Sequence, residues 1–583
     1  MAKDLFNFKN VNNNVHRSSF DLQELNSFTA KAGELLPVYN CFTLPGDKFT
    51  IKTRHFTRTR PLQTSAFVQI KEYFDWFWVP MRQLWKNFPT AITQMTDNYQ
   101  FASSMASPLK VTTDMPYLRL SDILFVSDES QDFTPNGTVA SNFLYRNKRA
   151  LNGSEEPRLN MFGYSRFNLM LKLLSYLGYG NFVAHSGAEY INHFNTNEDP
   201  TKMFYKIYGE DVAVNLFPLL AYNKIYNDFY RNSQWEKSRP YMFNVDYSTG
   251  GLLTIPDPSS DSWHIETMFD LKYANYEKDL FYGILPKTQE GDISQVIGQV
   301  YGDLADIDNN TSVPGPQKLN DLSSKFDILK LRQSQFLQKW KEIAISGSKD
   351  YKSQIQKHFG VTLPNSLSNL CQFIGGDSNF ISINEVVNTN LTSGSEADIK
   401  GRGTASNDDF QEFEANDYGV LMCIYHAKPI VQYATSGISQ HLLSTNALDF
   451  PIPEMDSIGL QALPTITLLN PMEPLGFSAV HQIPFLGYTS RYINYKTGVD
   501  RVNGDFTVSQ RDWCAPITDY EFLNVVDLPT DSLNRKYFKI YPGLLNPIFG
   551  VNSNDSVTTD QFLVNANFDI KAVRNLDYNG LPY

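Results

Sequence analysis

Strand patterning lies near both ends of this chain, while the residues between Pro80 and Val420 read as helix and loop. The turn Leu44-Pro45-Gly46-Asp47 opens the first stretch. Lys48 to Arg60 follows, Thr-rich and alternating, and Phe67 to Pro80 (FVQIKEYFDWFWVP) is dense in aromatic and β-branched residues. Strand signals return in GVLMCIYHAKPIVQY around Val420 and in YTSRYINYKTGVDRVNGDF, where Asn503-Gly504 marks a turn. Strands this far apart bury their apolar faces only by meeting in one core. The expectation is therefore a mainly β chain with one β core and long insertions. A length of 583 residues alone suggests about four domains of about 150 residues, but no composition shift separates compact units, and no repeat is visible.

Three helices are expected in the middle. Tyr164 to Leu177 carries Phe167, Met170, Leu171 and Leu174 at helical spacing, and Ala221 to Arg231 carries Tyr222, Ile225, Tyr226 and Phe229. Phe326 to Ile345 is the clearest, with Leu329, Phe336, Leu337, Trp340, Ile343 and Ala344 on one face and Lys and Gln opposite. Variable loops are expected at about 97–160, 181–212, 293–325 and 391–416. Residues 1–40, polar and Asn-rich, are expected as an extended arm, and 41–583 as a single β domain.

Lys+Arg number 50 and Asp+Glu 62, a formal net charge of −12. A chain devoted to neutralising phosphates would be basic, so an ordinary nucleic-acid binder is excluded, although a local basic face is not. Charged residues make up only 19% and aromatics 14%. That balance suits surface that becomes buried between subunits, where charge is depleted and Tyr, Trp and Phe are enriched. Cys41, Cys371, Cys423 and Cys514 are far apart and form no C-x-x-C pair, which fits synthesis in a reducing compartment. The first residues show no apolar leader core, so secretion is not expected. The stretch Leu169 to Leu177 is too short to span a bilayer and contains Lys172.

Catalytic motifs are sparse. There is no phosphate-binding P-loop, nucleophile elbow or H-E-x-x-H. Gly401-Arg402-Gly403 lacks the third glycine of a dinucleotide fingerprint, and His185 and His193 lack zinc-helix spacing. The carboxylates Asp408, Asp409, Glu412 and Glu414 read as a solvated acidic loop, not a glycosidase pair. No catalytic residue, metal ligand or cofactor is assigned.

One stretch suits nucleic acid. Period two puts Lys52, Arg54, Arg58 and Arg60 on one strand face, where they would follow a phosphate backbone or make salt bridges. Lys3, Lys9 and Arg17 in the arm have the same two readings. Trp76 and Trp78 share the opposite face from Phe77 and suit core packing or a subunit interface, and Trp85, Tyr578 and Tyr583 are further interface candidates. A glycan-binding or glycan-hydrolysing β-sandwich is the alternative, needing an aromatic groove or two carboxylates flanking a cleft.

Ordered strings along the chain carry more. Phe20-Asp21-Leu22, Gly33-Glu34-Leu35-Leu36-Pro37, Leu44-Pro45-Gly46-Asp47, Thr57-Arg58-Thr59 and Phe77-Trp78-Val79-Pro80 with Arg82, Leu84 and Trp85 come first. Then follow Tyr222-Asn223-Lys224-Ile225-Tyr226-Asn227 with Tyr230-Arg231, and Lys278-Asp279-Leu280-Phe281 with Leu285-Pro286 and Gln289-Glu290-Gly291. His358-Phe359-Gly360-Val361, Gly375-Gly376-Asp377, Ile383-Asn384-Glu385-Val386-Val387, Gly487-Tyr488, Arg491-Tyr492 and Trp513 complete the series. In this order they resemble the major capsid protein of the microviruses, the small single-stranded-DNA phages, of the gokushovirus-like kind. The resemblance implies an eight-stranded antiparallel jelly roll with long insertions. It implies assembly through pentamers into a T=1 icosahedral shell of 60 copies around circular single-stranded DNA. It further implies a small basic DNA-packaging protein, other minor phage proteins and a bacterial surface receptor as partners. The protein would be made in the host cytoplasm, reside in the virion and catalyse nothing. The spike-bearing branch has a long insertion between the Lys224-Ile225-Tyr226 helix and Lys278-Asp279. Here that interval is modest, so surface decoration is expected from the loops before Phe162, at 181–212 and at 293–325.

Overall fold

The computed structural model describes residues 17–62, 66–93, 115–119, 161–162, 164, 166–180, 213–247, 268–287, 328–345, 350–364, 368–387, 399–469, 485–519, 535–549 and 560–578. They fall into two compact units, one from within 1–277, 371–436 and 499–583, the other from within 278–370 and 437–498. The strands are β1 (Ser18–Asp21), β2 (Glu24–Ala30), β3 (Leu36–Thr43), β4 (Asp47–Thr59), β5 (Ile70–Pro80), β6 (Tyr117–Arg119), β7 (Ala213–Asn215), β8 (Gln372–Val387), β9 (Ile399–Ala415), β10 (Gly419–Pro429), β11 (Leu460–Pro464), β12 (Phe485–Ser490) and β13 (Phe562–Arg574). The longer helices are α1 (Arg166–Tyr176), α2 (Phe217–Ile225), α3 (Ile328–Ile345) and α4 (Tyr351–Phe359).

Eight strands of the first unit follow one pairing rule. Taken in chain order, the first pairs with the last (β2 with β13) and the second with the seventh (β3 with β10). The third pairs with the sixth (β4 with β9) and the fourth with the fifth (β5 with β8). This is a long antiparallel hairpin rolled up on itself. Pairing of β13 with β4 and of β10 with β5 sets those couples side by side, giving the orders β2-β13-β4-β9 and β3-β10-β5-β8. The result is the antiparallel jelly-roll β-sandwich that the resemblance implies. The long β8–β9 hairpin turns the corner between its halves. Residues Ile70–Trp78 of β5 take the first part of β8, and Ser382–Val387 of β8 take the first part of β9.

Alternation decides which side chains enter the sandwich. On β4, Phe49, Ile51, Thr53, His55, Thr57 and Thr59 are buried. On β13, Phe562, Val564, Ala566, Phe568, Ile570 and Ala572 face inward and Leu563, Asn565 and Lys571 outward. Strand β10 is buried on both faces, because α2 packs over the outer side of β5 and β10. Inside, Trp76 lies between Tyr39 and Phe568 at ring distances of 5.5 and 5.7 Å, and Tyr425 bridges Phe28 and Phe74 at 5.1 and 5.0 Å. The indole N–H groups are satisfied: Trp76 donates to Thr53 at 3.1 Å and Trp78 to Thr43 at 2.9 Å.

The second unit holds α3, α4 and the antiparallel β11–β12 hairpin, to which Leu285 adds a two-way backbone bridge with Tyr488. Gly360, at φ 70°, ends α4 in the left-handed conformation that glycine adopts without steric cost.

Several expectations need correction. Residues 399–415 are not a loop but β9, paired on both sides, because small inward residues (Gly403, Ala405, Ala415) and Phe413 fit the sandwich despite poor strand propensity. Residues 18–40 of the expected arm form β1, β2 and half of β3 within the sheet, with Phe28, Ala30, Leu35 and Leu36 buried. Beyond Ser490 the expected strand gives way to short 3-10 turns, with Tyr492 at φ 56°. The loops at 181–212 and 293–325, and nearly all of 97–160, lie outside the described residues, as do His185 and His193.

Candidate functional site

The outer face of β13, β4 and β9 carries the predicted basic stripe. Alternation points Lys48, Lys52, Arg54, Phe56 and Arg58 away from the core. Register sets Lys48 opposite Glu414, Lys52 opposite Phe410, Arg54 opposite Asp408 and Arg58 opposite Thr404. Two of these cations are compensated across the strands: Arg54 Nε lies 3.3 Å from Asp408 and Lys48 Nζ 3.5 Å from Glu414. Both pairs are solvated, so each contributes about 1 kcal/mol or less. The other two sit over aromatic rings, Lys52 5.9 Å from the Phe410 centroid and Arg58 4.8 Å from that of Phe56. Arg402, also exposed, lies on the same face of β9. The face is thus acidic at the Glu412–Glu414 end and cationic and aromatic at the Arg58 end.

Arg60 is drawn inward, its Nε donating to the Asp560 carbonyl at 2.6 Å. Arg17 is exposed and bonds Asn575 at 2.9 Å. Lys3, Lys9 and Tyr583 lie outside the described residues.

The interface reading of the tryptophans is corrected. Trp76, Trp78 and Trp85 are all buried within the single chain, at 0%, 6% and 8% exposure, and serve its core. Tyr578, 73% exposed and stacked at 6.1 Å on Phe20, does present aromatic surface.

Two polar clusters have no counterpart in the sequence reading. Inside the sandwich, Glu72 of β5 accepts from Thr57 at 2.7 Å and Tyr425 at 3.3 Å, and its other oxygen lies 3.0 Å from His55 Nε2. On the outer side of β5 and β10, Tyr230 donates to Asp75 at 2.7 Å, and His426 Nδ1 is 3.7 Å from the same carboxylate. Burial pushes the Asp75 carboxyl up to about 6, against the Tyr230 hydrogen bond and Lys428. Burial also holds His426 well below the usual imidazole range, with Lys428 adding to the effect, so this ring is neutral at pH 7. The available signal is the placing of Glu72 and Asp75 within a run dense in aromatic residues. Their partners come from β4, β10 and the segment after α2, which no local pattern connects.

The acidic run lies on a strand, not in a loop: Asp408 and Asp409 point to opposite faces, and Glu414 is engaged with Lys48. Among the described residues no group of three or more His, Cys, Asp or Glu could hold a metal ion. Burial pushes the thiols of Cys371 and Cys423 well above their ordinary value, the opposite of what a nucleophile needs. No described helix is long and apolar enough to cross a membrane.

The first unit is thus a jelly roll with a charged outer face. Comparison with known proteins agrees. Residues 9–119 and 193–582 match the family described as "Capsid protein (F protein)". The chain is also similar to the protein named "Capsid protein VP1" of Chlamydia phage 1, with 24% identity over 531 residues covering 84% of each chain. With nearly its whole length matched and its strands paired as a jelly roll, the chain belongs to the phage capsid protein (F protein) family.

Proposed function

We propose that this chain is the shell-forming subunit of a microvirus, assembling through pentamers into a T=1 icosahedral capsid around circular single-stranded DNA. The observation that carries the reading is the complete rolled-hairpin pairing of eight strands in a chain that matches the capsid family over most of its length. Such a wedge presents its loops at the two ends of the sandwich, where they meet neighbours about the symmetry axes and the host surface. The subunit acts without catalysis. It is made in the bacterial cytoplasm and ends in the virion. Its partners are other copies of itself, the genome, a small basic packaging protein, minor phage proteins and a host receptor.

The net charge of −12 leaves bulk neutralisation of DNA to the packaging protein and counterions. Contact from the shell is then local. Lys52 over Phe410 and Arg58 over Phe56 pair a cation with an exposed ring, as single-stranded nucleic acid requires for phosphate contact and base stacking. Arg54, Arg60, Arg17, Lys3 and Lys9 complete the proposed DNA set, and Tyr578 and Tyr583 the proposed interface set. The test is light scattering of the purified chain followed by electron microscopy. Pentamers or closed shells are expected. A 66.5 kDa species that persists at high concentration, even in phage-infected lysate, overturns the reading. Substituting Lys52, Arg54, Arg58 and Arg60 together is expected to lower the DNA content of particles. Unchanged packaging removes them.

A further inference from the structure

Among its described residues, the second unit exposes several large apolar side chains. Helices α3 and α4 pack against each other, with Trp340 stacked on His358 at 5.7 Å and Gln354 donating to the Ala344 carbonyl at 2.7 Å. Large apolar side chains are exposed on both helices and just past the second. Phe336 is 71% exposed, Trp340 56%, Phe359 73% and Val361 52%. Phe336 and Trp340 lie one helical turn apart, so they form one ridge. In the jelly roll, by contrast, Trp76, Trp78 and Trp85 are all buried. Leaving large apolar side chains in water forgoes the free energy of burying them.

The same hairpin is strongly basic. Residues 328–361 contain Lys330, Arg332, Lys339, Lys341, Lys349, Lys352 and Lys357 against Glu342 and Asp350, a net charge of +5 in a chain of −12. The rest of the chain therefore carries −17. Arg332, Lys339 and Lys357 are exposed beside the aromatic ridge.

We infer that the α3–α4 hairpin is an assembly contact, with its exposed Phe336, Trp340, Phe359 and Val361 seated on an acidic part of a second copy of this chain. The inference rests on the capsid reading and names the element that carries one of its contacts. Charge complementarity selects the partner: a copy of this protein supplies the carboxylates for a +5 hairpin. Aromatic anchors are enriched at interface centres, and the rim around them is polar. Single-stranded DNA would match the charge and stack on the rings, but it provides no apolar pocket for Val361.

The test is site-specific photo-crosslinking in the full-length chain. Phe336, and separately Phe359, is replaced by a photoreactive phenylalanine analogue; both positions are exposed, so folding is retained. Particles are isolated and then irradiated. The expected product is a covalent pair of chains from particles of normal size. In parallel, the triple variant Lys339→Glu, Lys341→Glu, Lys357→Glu is expected to raise the concentration threshold for assembly at least tenfold at low salt, with an unchanged melting temperature. Particles that form normally but give no chain–chain crosslink at either position, or a triple variant with the wild-type threshold, overturn this inference alone. Crosslinks to packaged DNA overturn it in favour of a nucleic-acid contact. Failure of the unmodified chain to form any particle, in phage-infected lysate as well, overturns the capsid reading, and this inference with it.

Discussion

Asp75 shows how one residue's environment becomes a pH response. Its carboxyl faces Tyr230 and His426, with Lys428 nearby, and it is raised from an ordinary 3.8 to about 6 mainly by burial. A folded-state value above the unfolded one means that the folded chain holds the extra proton between about pH 4 and pH 6. Asp75 therefore costs nothing below that window, and stability falls as pH rises through it. Asp75→Asn keeps the acceptor for Tyr230 and removes the charge. It is expected to match wild type near pH 4 and to exceed it at pH 7 by at most about 3 kcal/mol, as read from denaturant midpoints at the two pH values. Glu72 gives the opposite case. Removing it by Glu72→Ala strands His55, Thr57 and Tyr425 in the sandwich interior. A loss of about 3–5 kcal/mol is expected, seen as a lower urea midpoint or loss of soluble protein. Neither role was legible locally, since a carboxylate in a strand pattern reads as outward-facing.

Among the elements, β5 and β10 were evident from apolar and aromatic density, and α1, α2 and α3 from helical spacing. Strand β9 was not, because Gly, Ser, Asn and Asp signal a loop until β4 and β8 supply partners on both sides. Strand β13 is not among the sequence expectations although its alternation is regular: Phe562, Val564, Ala566, Phe568, Ile570 and Ala572 are all buried. It also holds the sandwich together, pairing with β1, β2 and β4. Phe568 contacts Tyr39 and Trp76 there. Phe568→Ala is expected to cost about 3–5 kcal/mol and to abolish particle formation before any surface contact is altered, checked by thermal melting and by particle yield. The basic stripe on β4 was legible because period two needs only the strand. Its partial neutralisation was not, because Asp408 and Glu414 lie more than 350 residues away in sequence and only register brings them across.

At the scale of the molecule, the proposed shell would bring together copies that each carry −12. Contact is favourable only where basic and acidic surfaces alternate or where apolar burial dominates. Assembly that uses the basic α3–α4 hairpin is therefore expected to weaken with salt. Raising ionic strength from about 0.05 to 0.5 M shortens the Debye length from about 14 to about 4 Å, and the threshold concentration measured by light scattering should rise. A threshold that is flat or falls with salt would mean that apolar burial alone drives association.

The family resemblance, the β character, the main helices and the exclusion of ordinary catalytic motifs are contained in the sequence by itself, because each depends on neighbouring residues or on short strings in order. Tertiary structure alone decided that 399–415 is a strand, that Trp76 and Trp78 are core and not interface, that Arg54 is bridged and Arg58 is not, and that Asp75 and Glu72 have buried partners. The physical reason is the jelly roll itself. Its rolled hairpin pairs the first strand with the last, so the partner that fixes a side chain's burial and charge usually lies hundreds of residues away.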